Sequence, residues 1–414
     1  MDGTLDSPVN AEAALLSAFA AEARGNPYAP LAELRSIDPA YCHETLGTRF
    51  LTRFADCQAA LADPGFVVPD RDWLVRERPE WVGYPAADFF YSSLLGTNGV
   101  GHERLRRPLL GAFGARRVAA LSASVEKIAD ELLDRFADLS SDGGAADFQA
   151  LVGYPLPVAV VGELIGVPRE DQAQFHLLGQ GAGRLLEPVR TAADWERADH
   201  AVLALREYFA ALLRERRARS TEDLASTLLA QVGSGEAKLT EHELVDLLLL
   251  VFVAGFETTA GLLGLSVFAL LTHPDQLALL RADPGLLSGA VEESLRWDGP
   301  VLMTERLAAR PMEVGGVAVP AGGSVTAVLG AGNRDPQRYP DPDAFLVRRP
   351  DVRVLSFGAG AHHCLGAALA RLEGAVLLGR LVARFPALAL AGPPVRRESA
   401  CLRSFDSLPL VTTG

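Results

Sequence analysis

The feature that most constrains the fold is a long segment, Leu244 to Leu271, that is almost wholly apolar. As a helix it is long enough to cross a bilayer. It also contains Asp246, Glu257 and the pair Thr258-Thr259, and ionisable groups within a membrane are costly and rare. A helix that is apolar on every side is equally typical of the centre of a large soluble protein. We therefore expect a buried central helix, with a membrane-spanning helix as the alternative.

Composition supports a soluble protein with a large core. The 414 residues are 49% apolar and 22% charged, and the net charge is −13. An acidic balance argues against binding nucleic acid through phosphate neutralisation. The four cysteines show no paired spacing, which suits a reducing compartment, and the first ten residues lack a basic and apolar leader. We expect a cytoplasmic protein without a membrane anchor; the cysteines are Cys42, Cys57, Cys364 and Cys401.

Helical periodicity dominates the chain, and strand patterns are few and short. None of the turn-rich breaks resembles a long linker between domains. We therefore predict one domain, residues 1–414, that is mainly α with a small β region. The predicted helices are Ala11–Arg24, Ala115–Leu139, Ala193–Ala218, Thr221–Val232, Glu241–Thr272 and Leu365–Phe385, and the predicted strands lie in Thr48–Arg53, Met312–Leu329 (two strands around the turn Val319–Gly322) and Leu402–Thr412.

The stretch from Phe357 to Gly366 carries the most chemical information. Gly358 and Gly360 bracket one residue, which predicts a tight loop with unusual dihedrals and room for a flat ligand close to the backbone. Cys364 follows, where an amphipathic helix begins, and the positive end of a helix stabilises a thiolate. Small residues after it would let that helix lie against a planar cofactor.

A cysteine by itself is most often a small buried hydrophobe. His362 and His363 beside Cys364 could instead belong to a zinc site, but a structural zinc needs four ligands and no second cluster is near in sequence. The whole loop matches the pattern F-x-x-G-x-[HR]-x-C-x-G and so resembles the haem-binding loop of the cytochromes P450. The resemblance implies the P450 fold, haem b (iron protoporphyrin IX), Cys364 as the iron ligand and contacts to haem from Phe357, Gly358, His362 and Gly366.

Glu293 and Arg296 match a second pattern of this family, E-x-x-R. Their spacing places both side chains on one helix face, within reach of an ion pair, although such a pair is commonly a weak surface contact. In the family the pair joins a downstream arginine and stabilises the core behind the cysteine loop. Arg349 is the candidate here and Arg348 the alternative, because Leu346 stands where the family has an aspartate.

A third match lies at the middle of the apolar helix, from Ala254 to Thr259. A glycine and adjacent β-branched threonines are poor choices for a helix interior, and a buried glutamate is costly unless it is bonded or functional. These local violations indicate a functional site, with helix packing and a back-bonded threonine as the alternative. By resemblance, Ala254 and Gly255 would contact haem, Gly255 would open a groove for dioxygen, and Glu257 and Thr258 would supply protons.

Three further residues complete the resemblance. His102 and Arg106 form H-x-x-x-R on an early helix, and Arg306 begins R-x-A after the E-x-x-R helix. Residues at this spacing usually form a solvated face, so their role rests on sequence order. By resemblance each would donate to a haem propionate, and arginine does so as a fork.

The resemblance implies a monooxygenase that activates dioxygen with two external electrons to hydroxylate or epoxidise a lipophilic small molecule, in the manner of enzymes that tailor secondary metabolites. No flavin- or nucleotide-binding motif appears, so a ferredoxin and its reductase are the expected donors. They would dock on a basic face formed by Arg104, Arg106, Arg107, Arg116 and Arg117. The alternatives are a peroxide-driven haem enzyme, against which Glu257-Thr258 counts, and a non-catalytic auxiliary protein, against which Cys364 counts.

By the same resemblance the substrate pocket is lined by variable segments whose apolar residues favour a lipophilic molecule. They are Val67–Leu95, which contains Phe89 and Phe90, Gly179–Pro188, Val301–Thr304, which contains Leu302 and Met303, and Ser399–Arg403.

Overall fold

The computed structural model describes residues 7–20, 25–140, 144–187, 191–231 and 239–412. Within them the chain is mainly helical, as predicted. The α-helices are α1 Ser7–Phe19, α2 Tyr28–Ile37, α3 Phe54–Ala62, α4 Arg71–Glu77, α5 Pro85–Ser92, α6 Gly99–Arg106, α7 Ala115–Ala120, α8 Ser122–Ser140, α9 Pro155–Ile165, α10 Gln172–Gly183, α11 Ala192–Ala218, α12 Leu224–Leu229, α13 Glu241–Thr272, α14 Pro274–Ala282, α15 Leu287–Trp297, α16 Leu329–Gly332 and α17 Ala367–Arg384.

The strands are short and form small sheets. They are β1 Ala40–His43, β2 Thr48–Leu51, β3 Phe66–Val67, β4 Ala146–Asp147, β5 Thr304–Ala308, β6 Met312–Val314, β7 Val317–Val319, β8 Ser324–Ala327, β9 Ala389–Leu390, β10 Val395–Arg396, β11 Phe405–Ser407 and β12 Pro409–Val411. The described residues fall into two compact units: those within Met1–Val68, Leu265–Cys364 and Pro394–Asp406 form the first, and those within Pro69–Gly264, Leu365–Pro393 and Ser407–Gly414 form the second.

The first unit is built around a five-stranded sheet with the order β1-β2-β8-β5-β3. β2 and β8 pair in parallel with Thr48 opposite Ser324, and the remaining pairs are antiparallel. Apolar side chains of α1 and α2 pack with the segment that precedes β5, where Leu302 and Met303 are buried. This packing joins the amino-terminal helices to the sheet.

The second unit packs around the part of α13 that ends at Gly264. Side chains on every side of this helix from Leu244 to Ala260 are buried in one core with α5, α9, α10 and α11. Aromatic contacts are dense there: the rings of Phe252 and Phe256 stack at 6.0 Å, and Phe175 meets Phe252 edge-on at 4.9 Å. The helix is long and apolar enough to cross a membrane, but 78% of its most apolar window is buried inside the protein. This burial is what the expectation of a central core helix requires.

Most predicted helices are confirmed, with two corrections. α13 has the predicted bounds and α11 differs by one residue. The predicted helix Ala115–Leu139 is two helices, because the backbone tightens at Leu121, whose N–H bonds to Val118. α12 begins only at Leu224 because the Asp223 carboxylate caps it by accepting from the Ser226 N–H at 2.7 Å. Residues 21–24 and 232, at the ends of two predicted helices, lie outside the described residues.

The turn predicted at Val319–Gly322 is confirmed: it joins β7 to β8, with Gly322 at φ of 77° and the Gly323 N–H donating to the Pro320 carbonyl at 2.9 Å. The prediction of two strands in Met312–Leu329 was wrong, because the first of them is a hairpin, β6 and β7. Gly315 and Gly316 between them have φ of 62° and 76°, the left-handed values that a two-residue hairpin loop requires. β2 and the tail strands β11 and β12 lie within predicted strand regions.

Candidate functional site

The loop that ends at Cys364 is held by its own backbone. Gly358 and Gly360 both have φ of 67°, which L residues with side chains rarely adopt. A Cβ on Gly360 would also lie 2.6 Å from the Leu61 carbonyl oxygen, so this position needs glycine twice over. The Cys364 N–H donates to the Phe357 carbonyl at 2.8 Å and closes the loop. The result is a fixed loop whose Cys364 side chain is exposed.

Behind this loop, Glu293 and Arg296 of α15 form a fully buried ion pair. Arg296 donates from Nε and Nη2 to the two Glu293 oxygens, each at 2.7 Å, and both residues are 0% exposed. Arg349 also donates to Glu293, at 3.0 and 3.2 Å, whereas Arg348 is exposed. The downstream arginine is therefore Arg349. Leu346 takes part through its backbone N–H, which donates to Glu293 at 2.9 Å.

The remaining Arg296 donors bind backbone carbonyls. They reach Asn333, Pro342 and Ala344 at 3.1, 2.7 and 2.8 Å. A buried charge is tolerated only when its bonds are satisfied, and Arg296 meets that condition. The surface-pair alternative for E-x-x-R does not apply here.

In the middle of α13, the Thr258 hydroxyl donates to the Ala254 carbonyl at 2.8 Å. This is the back-bonded geometry that sequence analysis held open. It uses the hydroxyl hydrogen and leaves the oxygen lone pairs able to accept. A Cβ on Gly255 would lie 2.9 Å from a Val161 methyl group, so part of the reason for a glycine there is the close approach of α9.

Glu257 is 3% exposed and contacts the end of α10, where a Cβ on Gly183 would lie 3.1 Å from its Cγ. Adjacent helix positions point about 100° apart, so Glu257 and Thr258 present different faces of α13. The helix itself is regular throughout this segment.

The residues assigned to propionates lie on α6 and β5. His102 is 2% exposed; burial lowers its pKa and Arg106, four residues along α6, lowers it further, which favours the neutral imidazole. Arg306 is 6% exposed, and burial lowers its pKa to about 10. Its guanidinium donates to Thr304 Oγ1 at 3.2 Å and to the Glu305 carbonyl at 2.7 Å.

Arg306 provides a test of fit for an anionic group. Within the part of the chain that the structure describes, its guanidinium forms no ion pair with a carboxylate. The Glu305 carboxylate raises the pKa of Arg306, but burial outweighs it. A buried cation without a direct ion-pair partner is costly, and a propionate is a suitable partner because arginine binds carboxylates as a fork. The exposed thiol of Cys364 is the soft ligand that haem iron takes in the haem-thiolate proteins. The donors present therefore fit haem.

Two predictions, one about the basic docking face and one about the substrate pocket, need correction. Arg104 does not belong to an unpaired basic face, because both of its terminal nitrogens donate to Glu243. Phe89, expected in the pocket, is 1% exposed within the core of the second unit, with the Arg206 guanidinium over its ring at 5.7 Å. Phe90 beside it is only half-buried.

Two buried carboxylates were not predicted from the sequence. Asp298 follows α15 and binds Tyr28, Arg396 and Arg403. Glu373 lies on α17 at 1% exposure. The only signal in the sequence was the position of Asp298 two residues after the E-x-x-R pattern, and Glu373 gave none.

The fold and these donors define a haem-thiolate protein. The family model for cytochrome P450 matches residues 75–398. The chain is 37% identical over 408 residues to 6-deoxyerythronolide B hydroxylase of Saccharopolyspora erythraea, covering 94% of this chain and 96% of that protein. It is 36% identical over 414 residues to the cytochrome P450 monooxygenase PikC of Streptomyces venezuelae, covering 98% and 95%.

Solved structures agree. P450BioI in complex with a hexadecenoic-acid-ligated acyl carrier protein matches with a TM-score of 0.88 at 31% identity, over 95% of this chain and 100% of that one. CYP164A2 of Mycobacterium smegmatis, also solved with econazole bound, matches with a TM-score of 0.87 at 32% identity, over 97% and 100%. The chain belongs to the cytochrome P450 family. It is a haem-thiolate monooxygenase with haem b as its cofactor, and these relatives do not favour the auxiliary or peroxide-driven alternatives.

Proposed function

We propose that this monooxygenase hydroxylates or epoxidises a lipophilic secondary metabolite of the polyketide class, and that the whole chain acts as one cytochrome P450 domain. The single observation that carries the proposal is the fixed loop that presents Cys364. The substrate class is supported by a relative named for polyketide biosynthesis, the cytochrome P450 PksS of Bacillus subtilis, which is 33% identical over 93% of this chain and 95% of that protein.

Haem, when bound, supplies the iron at which dioxygen is activated. The chain's own residues then have separate roles. Cys364 would provide the thiolate ligand, Arg306, His102 and Arg106 would hold the propionates, and His362 would bind one of them. Phe357, Gly358 and Gly366 would contact the macrocycle from the loop, and Ala254 and Gly255 would contact it from α13.

Glu257 and Thr258 supply the protons that dioxygen cleavage consumes. Thr258 can accept a hydrogen bond or a proton at Oγ1, because its hydrogen is donated to Ala254 at 2.8 Å. To pass a proton onward it must release that carbonyl bond, which needs only a rotation of the hydroxyl hydrogen about the Cβ–Oγ1 bond. Glu257 on the neighbouring face is the acid that restores the proton, through an intervening protic group or a change of rotamer.

Electrons come from an external donor, and we assign that role to a ferredoxin with its reductase. With Arg104 paired to Glu243, the exposed arginines that remain for docking are Arg107, Arg116 and Arg117. Charge complementarity of this kind mainly raises the association rate and is weakened by salt. We place the enzyme in the cytoplasm, without a membrane anchor, because α13 is a core helix.

The ligand assignment is tested by Cys364→Ser, with Cys401→Ser as the control because Cys401 is buried and its Sγ contacts the Met303 carbonyl. We expect the serine variant at 364 to lose the long-wavelength absorption band of the reduced carbon monoxide complex that gives the family its name, and the control to keep it. Retention of that band in Cys364→Ser would mean that another residue is the ligand.

The proton role is tested by Thr258→Val, which keeps the shape and removes the hydroxyl. With a substrate selected by binding-difference spectra from a panel of macrolactones, we expect NAD(P)H to be consumed and hydrogen peroxide released in place of product, since proton delivery typically contributes about 10²–10⁴-fold. Thr258→Ser should retain partial coupling. Thr259→Val is the matched control, and equal coupling in all three variants would move the proton relay away from Thr258.

A further inference from the structure

Two segments that the resemblance assigns separately to the pocket lie side by side in the first unit. Val301 and Leu402 form an antiparallel bridge, the Leu302 N–H donates to Cys401 at 2.8 Å, and the Arg403 N–H donates to Pro300 at 2.8 Å. The stretches Val301–Thr304 and Ser399–Arg403 are therefore one hydrogen-bonded structure. We call it the paired wall.

The tip of the paired wall is also fixed. Ser399 Oγ accepts from the N–H groups of Cys401 and Leu402 at 3.2 and 2.6 Å, which makes a tight turn. The Cys401 thiol contacts the Met303 carbonyl at 3.3 Å.

Asp298 fixes the base of the paired wall. Arg403 donates to both of its carboxylate oxygens, Arg396 donates to Oδ2 at 3.2 Å, and the Tyr28 hydroxyl donates to Oδ1 at 2.6 Å. The side chains of Asp298, Arg403 and Arg396 are 4%, 7% and 17% exposed. The guanidinium of Arg334 lies over the Tyr28 ring at 3.7 Å.

Charge accounts for the strength of this anchor. Burial raises the pKa of Asp298, but Arg403 and Arg396 outweigh burial and hold the pKa well below its usual range. The carboxylate is thus ionised at any pH at which the enzyme works. Arg403 lies within a segment assigned to the pocket, yet its guanidinium is committed to Asp298 and does not offer a charge to substrate.

We propose that Asp298, through Arg403, is a positioning residue that sets the shape of the substrate pocket by holding the paired wall in one place. The inference rests on the proposed function, because it takes one side of the paired wall as pocket lining. Leu302, Met303 and Cys401 pack in the core with α1 and α2, so the residues left to line a pocket are the half-buried Thr304 and Ser399 and the exposed Ala400. If it is correct, weakening the contacts of Asp298 lowers the affinity for bulky ligands. The affinity for a small ligand that binds only to the iron should not change.

The test uses the haem-loaded enzyme and two probes, imidazole and econazole, titrated by difference absorption spectra. Asp298→Asn keeps the shape of the side chain and removes its charge, and Tyr28→Phe removes one hydrogen bond and keeps the ring beneath Arg334. The control is Asp351→Asn, which breaks the exposed ion pair with Arg338; asparagine tolerates its φ of 48°.

We expect the Kd for imidazole to stay within about twofold in every variant. The Kd for econazole should rise about tenfold in Asp298→Asn and about threefold in Tyr28→Phe, and should not change in the control. A general loss of folding would move both probes together, so the ratio of the two Kd values is the diagnostic quantity.

An unchanged ratio in both variants, or equal shifts for both probes, overturns the inference. If Asp298→Asn yields no folded protein, Tyr28→Phe decides alone by the same ratio. Failure of the proposed function is a different result: the wild-type protein would then lack the carbon monoxide band or bind neither azole at its haem.

Discussion

Two glutamates buried to the same depth behave as opposites in this molecule. Glu293 on α15 is 0% exposed and accepts from two arginines and from the Leu346 N–H. Glu373 on α17 is 1% exposed, and among the described residues its Oε2 has no hydrogen-bond partner. Burial raises the pKa of Glu373 from the ordinary 4.5 to about 8.

The difference shows that depth alone does not decide whether a buried acid is charged. Arg296 and Arg349 require a negative partner, and their donors satisfy the Glu293 oxygens. Glu373 has burial as the only cause of its shifted pKa, so it is mostly a neutral acid at pH 7. One glutamate therefore stabilises the fold through its charge, and the other is stable only while it carries a proton.

The largest expected effect comes from removing the charged partner. Glu293→Ala leaves two buried arginines uncompensated and should cost about 3–5 kcal/mol of unfolding free energy, enough to leave little folded, haem-containing protein. The measurement is the yield of holoprotein and its denaturation midpoint.

The control for Glu293→Ala is Lys127→Ala on α8. Lys127 and Glu131 form an ion pair of similar helical spacing at 3.9 Å, but their side chains are 70% and 48% exposed. Exposed pairs contribute about 0–1 kcal/mol. Normal yield of both variants would contradict the comparison, because it would make the buried pair equivalent to a surface one.

Glu373→Gln should change the free energy of unfolding in the opposite direction from Glu293→Ala. Because the pKa of Glu373 is raised on folding, its unfavourable contribution is absent below the unfolded pKa of 4.5 and grows as pH rises toward about 8. Glutamine does not ionise in this pH range, so the unfolding free energy of the variant should exceed that of wild type by a margin that grows with pH. The gain at pH 7 is on the order of 3 kcal/mol, at about 1.4 kcal/mol per unit of pKa shift.

Denaturant titrations at pH 5.5, 7 and 8 measure this gain, with Glu207→Gln on α11 as the exposed control. The difference between Glu373→Gln and wild type should increase across the series, and that of the control should stay flat. A constant difference would show that Glu373 finds a charge partner, and the contrast with Glu293 would disappear.

Sequence patterns predicted the charged pair and missed the neutral acid for a physical reason. E-x-x-R fixes two side chains on one helix face, so the Glu293–Arg296 contact follows from helix geometry alone. The choice between Arg348 and Arg349 depends on the path of a loop, which no spacing rule supplies. Nothing in the sequence around Glu373 distinguishes it from an exposed helical residue; only the packing of α17 shows that it lies on a buried face.

The same limit applies to the fold and the site. The apolar residues on every side of α13 predicted both its bounds and its burial. The hairpin of β6 and β7 was not predicted, because two glycines with positive φ form a turn inside what was predicted to be one strand. The cysteine loop was readable because its chemistry lies within ten consecutive residues. The Asp298 network joins positions that are 270 and 105 residues apart in sequence, which no local pattern reveals.

The smallest expected effect is the difference in stability between substitutions at the adjacent residues Arg348 and Arg349. Arg349 donates to Glu293 from Nε and to the carbonyls of Pro340, Asp341 and Ala344 from its terminal nitrogens. Arg349→Lys keeps the charge that Glu293 needs but cannot reproduce a planar fork with this many donors, so we expect a loss of about 1–2 kcal/mol in unfolding free energy. Arg348→Lys is the matched control, because Arg348 is exposed and such changes usually stay within about 0.5 kcal/mol. The two variants differ by one position and by nothing in composition, so any difference in denaturation midpoint reports the hydrogen bonds of Arg349. Equal midpoints would show that charge alone, without the fork, stabilises Glu293, and the contrast with Glu373 would then rest on electrostatics rather than on satisfied hydrogen bonds.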